Sequence, residues 1–290
     1  MTTTGTGSRR LRLGTRGSRL ALTQSGQVAE ALMAAGGGGA AAAAGKASEG
    51  SGGLGIDLVT VRTDGDGDRT PLRQLGGVGV FAARLRHALL DGEVDLVVHS
   101  FKDLPTQPVE GLEVICVPAR EDPRDALCAR DGLTLADLPE GARVGTGSPR
   151  RAAQLLAARP DLEVVDLRGN VPTRLARVRG LEAVGVGTDE PVAPSRADAA
   201  GDLDAVVLAL SGLRRLGLEH CASEVLDLET MLPAPAQGAL AVEARADEDS
   251  EELARAVAAL DDEPTRLAVT AERALMARLG AGCAAPVGAW

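Results

Sequence analysis

One recurring pattern limits the folds open to this chain: a short apolar run, a turn with a hydroxyl group and an arginine, and then a helix. It occurs over residues 11–35, 143–156 and 162–175, and a fourth apolar run, Ala205–Leu210, ends in a similar turn at Arg215. Strands that alternate with helices indicate parallel or mixed sheets. We therefore predict an α/β fold, with further strands at Ile56–Arg62, Leu112–Pro118 and Ala239–Ala244.

The stretch Val94–Pro105 places several reactive side chains directly after another predicted strand. Val94–Val98 is β-branched and mostly apolar, and Pro105 ends regular structure. Between them lie His99, Ser100, Lys102 and Asp103. Ligands of open α/β folds bind at the carboxyl ends of strands, so this stretch predicts a site at a sheet edge. Taken alone, it is equally compatible with a polar loop that has no further role.

Arginines recur at the ends of the predicted strands. Only two basic residues are lysines, Lys46 and Lys102, and a coding bias explains many of the exposed arginines. Six arginines near strand ends nevertheless suggest a cleft for a ligand with several carboxylates or phosphates. They are Arg16, Arg150, Arg151, Arg168, Arg174 and Arg215. Ser18 is a suitable N-cap for a helix over Arg19–Ala35, and such a helix start either binds an anion or is an ordinary cap.

Composition excludes several classes of protein. The net charge of −10 argues against a nucleic-acid partner, because phosphate backbones require a basic surface. The four cysteines, at 116, 128, 221 and 283, have no metal-site spacing, so no metal is predicted. No GxxxxGK[ST] motif is present, which argues against a phosphate-binding P-loop enzyme. The sequence has no apolar signal core or membrane-length apolar run, so we predict a cytoplasmic location with reduced thiols.

Three segments are predicted to be loops without regular structure. Gly36–Gly53 and Glu182–Asp202 are low-complexity insertions, and Thr63–Gly79 is a long Gly- and Asp-rich loop of the kind that often forms a lid. Helices are predicted at Phe81–Leu90, Ser250–Leu260 and Pro264–Leu279, and the last of these has an apolar stripe at Leu267, Ala271, Leu275 and Leu279. Cys283 follows in a Gly-flanked loop.

Taken together, seven segments resemble the porphobilinogen deaminase family, also called hydroxymethylbilane synthases. They are Leu13–Ala21, His99–Asp103, Glu121–Asp125, Val144–Arg151, Leu167–Leu175, Pro235–Ala239, and Gly282-Cys283 with Pro286–Gly288. They occur in the family's order and span nearly the whole chain. Each segment is unspecific by itself, whereas the set is highly specific.

The resemblance implies two α/β lobes like those of periplasmic binding proteins, with mixed sheets and an active cleft between them, and a small third α+β domain. The implied boundaries are 1–118 with 235–258 for domain 1, 119–234 for domain 2, and 259–290 for a partial, apparently truncated domain 3. The implied reaction condenses four porphobilinogen molecules stepwise, with loss of ammonia, into the linear tetrapyrrole 1-hydroxymethylbilane. The implied primer is a covalent dipyrromethane cofactor, the substrate is the only implied partner, and a monomer is predicted.

The resemblance also implies roles for single residues. Asp103 corresponds to the catalytic aspartate, which would shuttle protons and stabilise the cation formed when porphobilinogen loses ammonia. Cys283 would hold the cofactor through a thioether. The other implied cofactor-binding residues are Lys102, Ser100, Thr146, Ser148, Arg150, Arg151, Arg168 and Asn170. The implied substrate-binding residues are Arg16, Ser18, Arg174 and Arg215.

Three departures from the family pattern stand out. Val78 and Ala83 occupy positions where lysines are common, which removes positive charge. Gly147 and Pro149 replace the more usual Ser and Leu. The sequence ends at Trp290, soon after Cys283, whereas the family's third domain normally continues for several more strands and helices. The alternative function, from a different class, is a non-catalytic periplasmic-type protein that binds a polycarboxylate.

Overall fold

Two five-stranded sheets form the framework of the computed structural model. The structure describes residues 10–37, 53–61, 80–181, 201–282 and 285–290. Contacts between Cα atoms divide the chain into two units. Unit 1 comprises Met1–Asp68, Gly79–Arg120 and Ala239–Thr270, and unit 2 comprises Arg69–Val78, Glu121–Gly238 and Ala271–Trp290. The chain therefore passes from unit 1 into unit 2 after Arg120 and returns after Gly238.

The unit 1 sheet has the strand order β2-β1-β3-β10-β4. Its strands are β1 (Arg10–Thr15), β2 (Gly55–Thr60), β3 (Leu96–Ser100), β4 (Leu112–Cys116) and β10 (Leu240–Arg245). β1 pairs in parallel with β2 and β3, whereas β10 is antiparallel to both β3 and β4. The helices are α1 (Arg19–Ala35), α2 (Val80–Leu90), α6 (Glu251–Leu260) and the first half of α7 (Glu263–Arg278).

Apolar clusters cover both faces of this sheet. On one face, Leu96 and Val98 of β3 pack with Leu32 of α1 and Leu253 of α6. On the other, Val97 packs with Leu89 of α2. Successive side chains of a strand point to opposite faces, so a strand covered on both sides must be apolar throughout. This explains why β3 is a continuous apolar run up to His99.

The unit 2 sheet repeats the arrangement with the order β7-β6-β8-β5-β9. Its strands are β5 (Asp125–Ala129), β6 (Arg143–Gly145), β7 (Glu163–Val165), β8 (Ala205–Ala209) and β9 (Glu224–Val225). β6 is parallel to β7 and β8, and β5 is antiparallel to β8 and β9. The helices are α3 (Pro149–Ala158), α4 (Val171–Leu175) and α5 (Leu210–Arg215), with the second half of α7.

This second sheet is also covered on both faces. Val207 of β8 packs with Leu155 of α3 on one face, and Val206 packs with Leu175 of α4 and Leu213 of α5 on the other. The predicted α/β class with mixed sheets is confirmed. Each unit has three parallel strands, then one antiparallel strand and a fifth strand, so the two share one topology.

Most predicted elements are confirmed, with small shifts at their ends. The helix over Arg19–Ala35 and the strand over Arg143–Gly145 have the predicted bounds. β5 was not predicted, because its sequence Asp-Ala-Leu-Cys-Ala contains no β-branched or aromatic residue. The predicted division into three domains stays a prediction.

Several predictions concern residues outside the described ranges. These are Cys283, the predicted lid over residues 63–79 including Val78, and most of the two low-complexity insertions. The helix that carries Ala83 begins at Val80. None of the helices in the described part of the chain has the length and hydropathy that a membrane span requires.

Candidate active site

The carboxyl ends of β1 and β3 bring five predicted site residues to one edge of the unit 1 sheet. The two strands are parallel neighbours, with Leu13 opposite Leu96. β1 leads into Arg16 and Ser18, and β3 ends at Ser100, just before Lys102 and Asp103. The Ser18 hydroxyl caps α1 by accepting a hydrogen bond from Ala21 N at 3.3 Å. The predicted grouping of these side chains at a sheet edge follows directly from the parallel pairing.

Asp103 lies on a short 3-10 helix, Phe101–Asp103, that is fixed at both ends. Phe101 N donates to Ala239 O at 3.0 Å, and Leu104 N donates to Phe101 O at 3.3 Å. The side chains of Phe101 and Leu104 are buried, whereas Lys102 is half-buried and Asp103 is exposed. Two buried anchors thus hold the turn so that its ionisable side chains lie at the surface of the unit.

The Ser100 hydroxyl connects this turn to α1. It donates to Gln24 Oε1 at 3.2 Å, and Gln24 is buried. A buried amide oxygen requires a donor, so this contact fixes the end of β3 against α1. Ser100 has thereby one protein partner before any ligand binds.

His99 was predicted to follow the strand together with the other reactive side chains, and that prediction was wrong. It belongs to β3 and is buried, with Nε2 at 3.1 Å from Glu243 Oε2. Arg86 of α2 donates to the same carboxylate, with NH2 at 2.8 Å from Oε1. Burial acts to raise the pKa of Glu243, but hydrogen bonds from His99 and Arg86 outweigh it and lower the pKa below its ordinary value. His99 is thus part of a buried hydrogen-bond network with Glu243 and Arg86, at the end of the strand that leads into the turn.

The carboxyl ends of β6 and β7 group a second set of predicted residues in unit 2. Thr146 is buried, and its Oγ1 accepts from Ser148 N at 3.2 Å. Ser148 caps α3, with Pro149 as the first helical residue. Asn170 caps α4, and its Oδ1 accepts from Thr173 N at 2.9 Å. Both turns therefore end in capped helix starts, as their sequences predict.

Two further arginines lie beside these turns. Arg168 is half-buried just after β7, and the Arg174 Nε donates to Gly169 O at 2.7 Å. Gly169 has φ +109°, a backbone conformation that L residues rarely adopt. The glycine therefore shapes a turn whose carbonyl orients Arg174.

Arg150 and Arg151 are directed into unit 2, which their positions in the sequence did not indicate. Both are at least nine-tenths buried, and both contact Asp125 of β5. Arg150 NH2 donates to Asp125 Oδ2 at 2.8 Å, and Arg151 NH2 donates to Asp125 Oδ1 at 2.7 Å. Burial acts to raise the pKa of Asp125, but the charges of Arg151 and Arg150 outweigh it, so the pKa lies below its ordinary value. Their predicted contact with ligand carboxylates stays a prediction.

Arg215 is held by the segment that leads out of unit 2. Its NH2 donates to Gly238 O at 2.6 Å. The same segment contains Gln237, whose Nε2 donates to Asp125 Oδ1 at 2.8 Å and to Pro123 O at 2.6 Å. One short segment thus positions three of the six predicted arginines, directly or through Asp125.

The three described cysteines are poor nucleophiles. Cys116, Cys128 and Cys221 are all free and buried. Burial raises the pKa of Cys116 and of Cys128 to about 12, and it also raises the pKa of Cys221. A thiol reacts as its thiolate, so these three would attack an electrophile only slowly at neutral pH.

The buried carboxylates predict a loss of stability in acid. Asp125 and Glu243 both have a lowered pKa in the folded protein. Their stabilising contribution is therefore complete above the unfolded value, about 4, and is lost as pH falls through the folded values. We expect the melting temperature to fall steadily below about pH 5, and to fall less steeply in Glu243→Gln. Parallel thermal melts from pH 7 to pH 3 test this, and equal slopes in the two proteins would contradict it.

Sequence reasoning missed Asp125 and Glu243 as organising residues. A signal for Glu243 existed, because a charged residue inside the apolar run Leu240–Arg245 is rarely buried without a partner. Asp125 ends a segment, Glu121–Asp125, that was noted only for the family resemblance, although it begins β5. Gln24 and Gln237 carried no comparable signal, since isolated glutamines are common at surfaces.

Comparisons with known proteins show the family to which the sequence is related. The family model described as porphobilinogen deaminase, dipyromethane cofactor binding domain, matches residues 11–253. The model for the C-terminal domain of porphobilinogen deaminase matches residues 266–290. Together they cover most of the chain, including every predicted site residue.

Similar proteins include porphobilinogen deaminases from two bacteria. The chain is 56% identical to that of Micrococcus luteus over 96% of this chain and 72% of the relative. It is 55% identical to that of Cutibacterium acnes over 96% of this chain and 76% of the relative. Among solved structures, the methionine binding protein MetQ is 15% identical, with a TM-score of 0.46 over 91% of this chain and 95% of that one.

These matches define a transferase that builds tetrapyrroles. The chain belongs to the porphobilinogen deaminase family. The predicted activity is confirmed: stepwise condensation of four porphobilinogen molecules into 1-hydroxymethylbilane, primed by a dipyrromethane cofactor. The non-catalytic binding protein is not favoured.

Proposed function

We propose that Asp103 is the catalytic residue of this transferase, that Cys283 carries the dipyrromethane, and that arginines of both units bind carboxylate groups. The observation that carries the proposal is the fixed 3-10 helix, which holds Asp103 exposed at the same sheet edge as Arg16 and Ser18. An exposed carboxyl group on a rigid support meets the first requirement for proton transfer, which is positioning.

The chemistry of the substrate defines what Asp103 must do. Porphobilinogen loses ammonia from its aminomethyl group, which requires a proton on the leaving nitrogen and leaves a cation on the pyrrole. A carboxyl group can supply that proton, and as a carboxylate it can then stabilise the cation. After the new carbon–carbon bond forms, the same group can take up the proton that the attacked pyrrole carbon releases. One aspartate is thus sufficient for both proton transfers in each condensation.

The residues of unit 2 fit a cofactor that carries carboxylates. Arg168, Arg174 and the capped start of α3 all lie at the carboxyl ends of parallel strands. The N–H groups and guanidinium groups at such a position can bind anions by donating hydrogen bonds to them. When bound, the dipyrromethane supplies the pyrrole carbon to which the first substrate is joined. The proposed cofactor contacts are Lys102, Ser100, Thr146, Ser148, Arg150, Arg151, Arg168 and Asn170. The proposed substrate contacts are Arg16, Ser18, Arg174 and Arg215.

The raised pKa values of the other cysteines support attachment of the cofactor to Cys283. Burial raises the pKa of Cys116, Cys128 and Cys221, so none of these three is suited to attack an electrophilic pyrrole. Cys283 lies within the segment matched by the C-terminal domain model. The monomeric state, the absence of a nucleic-acid partner and the cytoplasmic location stay predictions.

Intact-mass measurement tests the attachment. The apoprotein incubated with porphobilinogen is expected to gain two pyrrole units, and Cys283→Ser is expected to gain none, because an alcohol is a far weaker nucleophile than a thiolate. Cys221→Ser is the matched control and should gain the full increment. An unchanged increment in Cys283→Ser, or its loss in Cys221→Ser alone, would move the attachment to another residue.

A further inference from the structure

The buried carboxylate of Asp125 is saturated with hydrogen bonds. It is completely buried and accepts four hydrogen bonds. Its Oδ1 accepts from Arg151 Nε at 3.1 Å, Arg151 NH2 at 2.7 Å and Gln237 Nε2 at 2.8 Å. Its Oδ2 accepts from Arg150 NH2 at 2.8 Å. A carboxylate has about four lone-pair sites, so Asp125 is fully engaged in holding these three side chains.

The geometry of α3 shows why a shared acceptor is needed. Arg150 and Arg151 are consecutive residues in its first turn, and consecutive side chains on a helix point about 100° apart. Two adjacent guanidinium groups also repel each other. Asp125 draws both to one point, while backbone carbonyls hold their other ends: Arg150 NH1 donates to Leu232 O, and Arg151 NH1 donates to Val207 O at 3.0 Å.

The charges of this cluster do not cancel. Arg150 and Arg151 contribute two positive charges and Asp125 one negative charge, which leaves a net charge of +1. Gln237, the remaining partner, is neutral. The start of α3 adds the positive end of a helix dipole beside the cluster. The net positive charge of the cluster therefore attracts one further carboxylate.

We infer that Asp125 is a positioning residue for the condensation: it fixes Arg150 and Arg151 in the geometry that binds one carboxylate of the substrate or the dipyrromethane. The inference rests on the proposed function, in which these arginines bind carboxylates. Asp125 acts only through the arginines and takes no part in proton transfer. Gln237 supports it by fixing Oδ1 against the Pro123 carbonyl.

Two effects of losing the charge of Asp125 have opposite signs, and this makes the inference testable. If Asp125 only reduced the positive charge, Asp125→Asn would strengthen carboxylate binding and lower KM. If Asp125 positions the arginines, the asparagine amide directs N–H groups at a guanidinium, the arginines separate, and KM rises. A purely structural role would change the melting temperature and leave KM alone.

The experiment compares Asp125→Asn with Asp204→Asn in the full chain. Asp204 is also buried, and it accepts from Arg130 Nε and from Arg143 N, each at 2.8 Å. Both variants should have lower melting temperatures, because each replaces a buried carboxylate whose charge and hydrogen bonds stabilise the fold. At a temperature well below both transitions, Asp125→Asn should either raise KM for porphobilinogen about tenfold, if the carboxylate belongs to the substrate, or lower the cofactor-loaded fraction found by intact mass about tenfold, if it belongs to the dipyrromethane. In Asp204→Asn both quantities should stay within about twofold. Equal KM values and equal loaded fractions in the two variants, or a lower KM in Asp125→Asn, would overturn the inference.

Two more variants complete the test. Gln237→Met removes one donor to Asp125 without changing any charge. It should raise KM or lower the cofactor-loaded fraction about threefold even if Asp125→Asn does not fold, and no change in either quantity would then overturn the inference. Arg150→Gln separates the inference from the proposed function. If Arg150→Gln changes neither KM nor the loaded fraction, the carboxylate-binding role of this arginine fails. If it changes one of them while Asp125→Asn behaves like Asp204→Asn, only the positioning role fails.

Discussion

Replacing Asp103 by asparagine is expected to lower turnover by about 10²–10⁴-fold, the range typical for loss of a general acid–base group. Asparagine has nearly the same shape but cannot donate or accept the proton that each loss of ammonia requires. Asp103 is exposed, so the substitution should change the free energy of unfolding by less than about 0.5 kcal/mol. Formation of the linear tetrapyrrole, thermal melting and intact mass together measure activity, fold and cofactor content.

The control for this variant is Glu110→Gln, which removes another exposed carboxylate from the same loop region. It should keep its turnover, since nothing in the site geometry assigns a role to Glu110. Turnover of Asp103→Asn within a few-fold of the unmodified protein would remove Asp103 from the chemistry. A loss of cofactor content in Asp103→Asn would instead indicate that the aspartate acts during cofactor assembly.

The fold could be predicted largely because its signals are local. Alternating apolar runs and capped helix starts, such as Ser18 before α1, define elements without knowledge of distant contacts. The failures came from tertiary context. The predicted apolar stripe on α7 is exposed at all four positions, Leu267, Ala271, Leu275 and Leu279. The helix instead buries Val269 and Met276, because it buries the face that packs against its neighbours.

The candidate site was predictable only as far as backbone position determines it. Asp103 and Asn170 lie at sheet edges because each follows a strand that has a parallel neighbour. The alternation of strands and helices along the sequence is enough to predict such parallel pairs. The direction of a long side chain does not follow from its position. Arg150 and Arg151 turn towards Asp125, and that partner belongs to β5, a strand whose small residues gave no β signal. The buried carboxylates that pair with the site arginines were thus the main feature that could not be predicted from the sequence.

Gly238→Ala is expected to cause a large loss of stability in unit 2. Gly238 has φ +91°, and a Cβ atom there would lie 2.3 Å from Glu121 O, a backbone atom that cannot swing aside. Unfavourable backbone conformation and overpacking each cost about 1–3 kcal/mol, so we expect a total loss of about 3 kcal/mol. For a chain of this size, that lowers the melting temperature by roughly 6–12 °C.

Gly217→Ala is the matched control, because Gly217 also has a positive φ, +70°, but no atom lies within 4 Å of its added Cβ. The difference between the two melting temperatures therefore isolates the close approach to Glu121 from the backbone strain that both variants share. The Gly238 carbonyl also accepts from Arg215, so displacement of this segment should weaken substrate binding in Gly238→Ala as well. Equal melting temperatures in the two variants would show that the segment around Gly238 relaxes at little cost, and would remove it as a rigid support for Arg215.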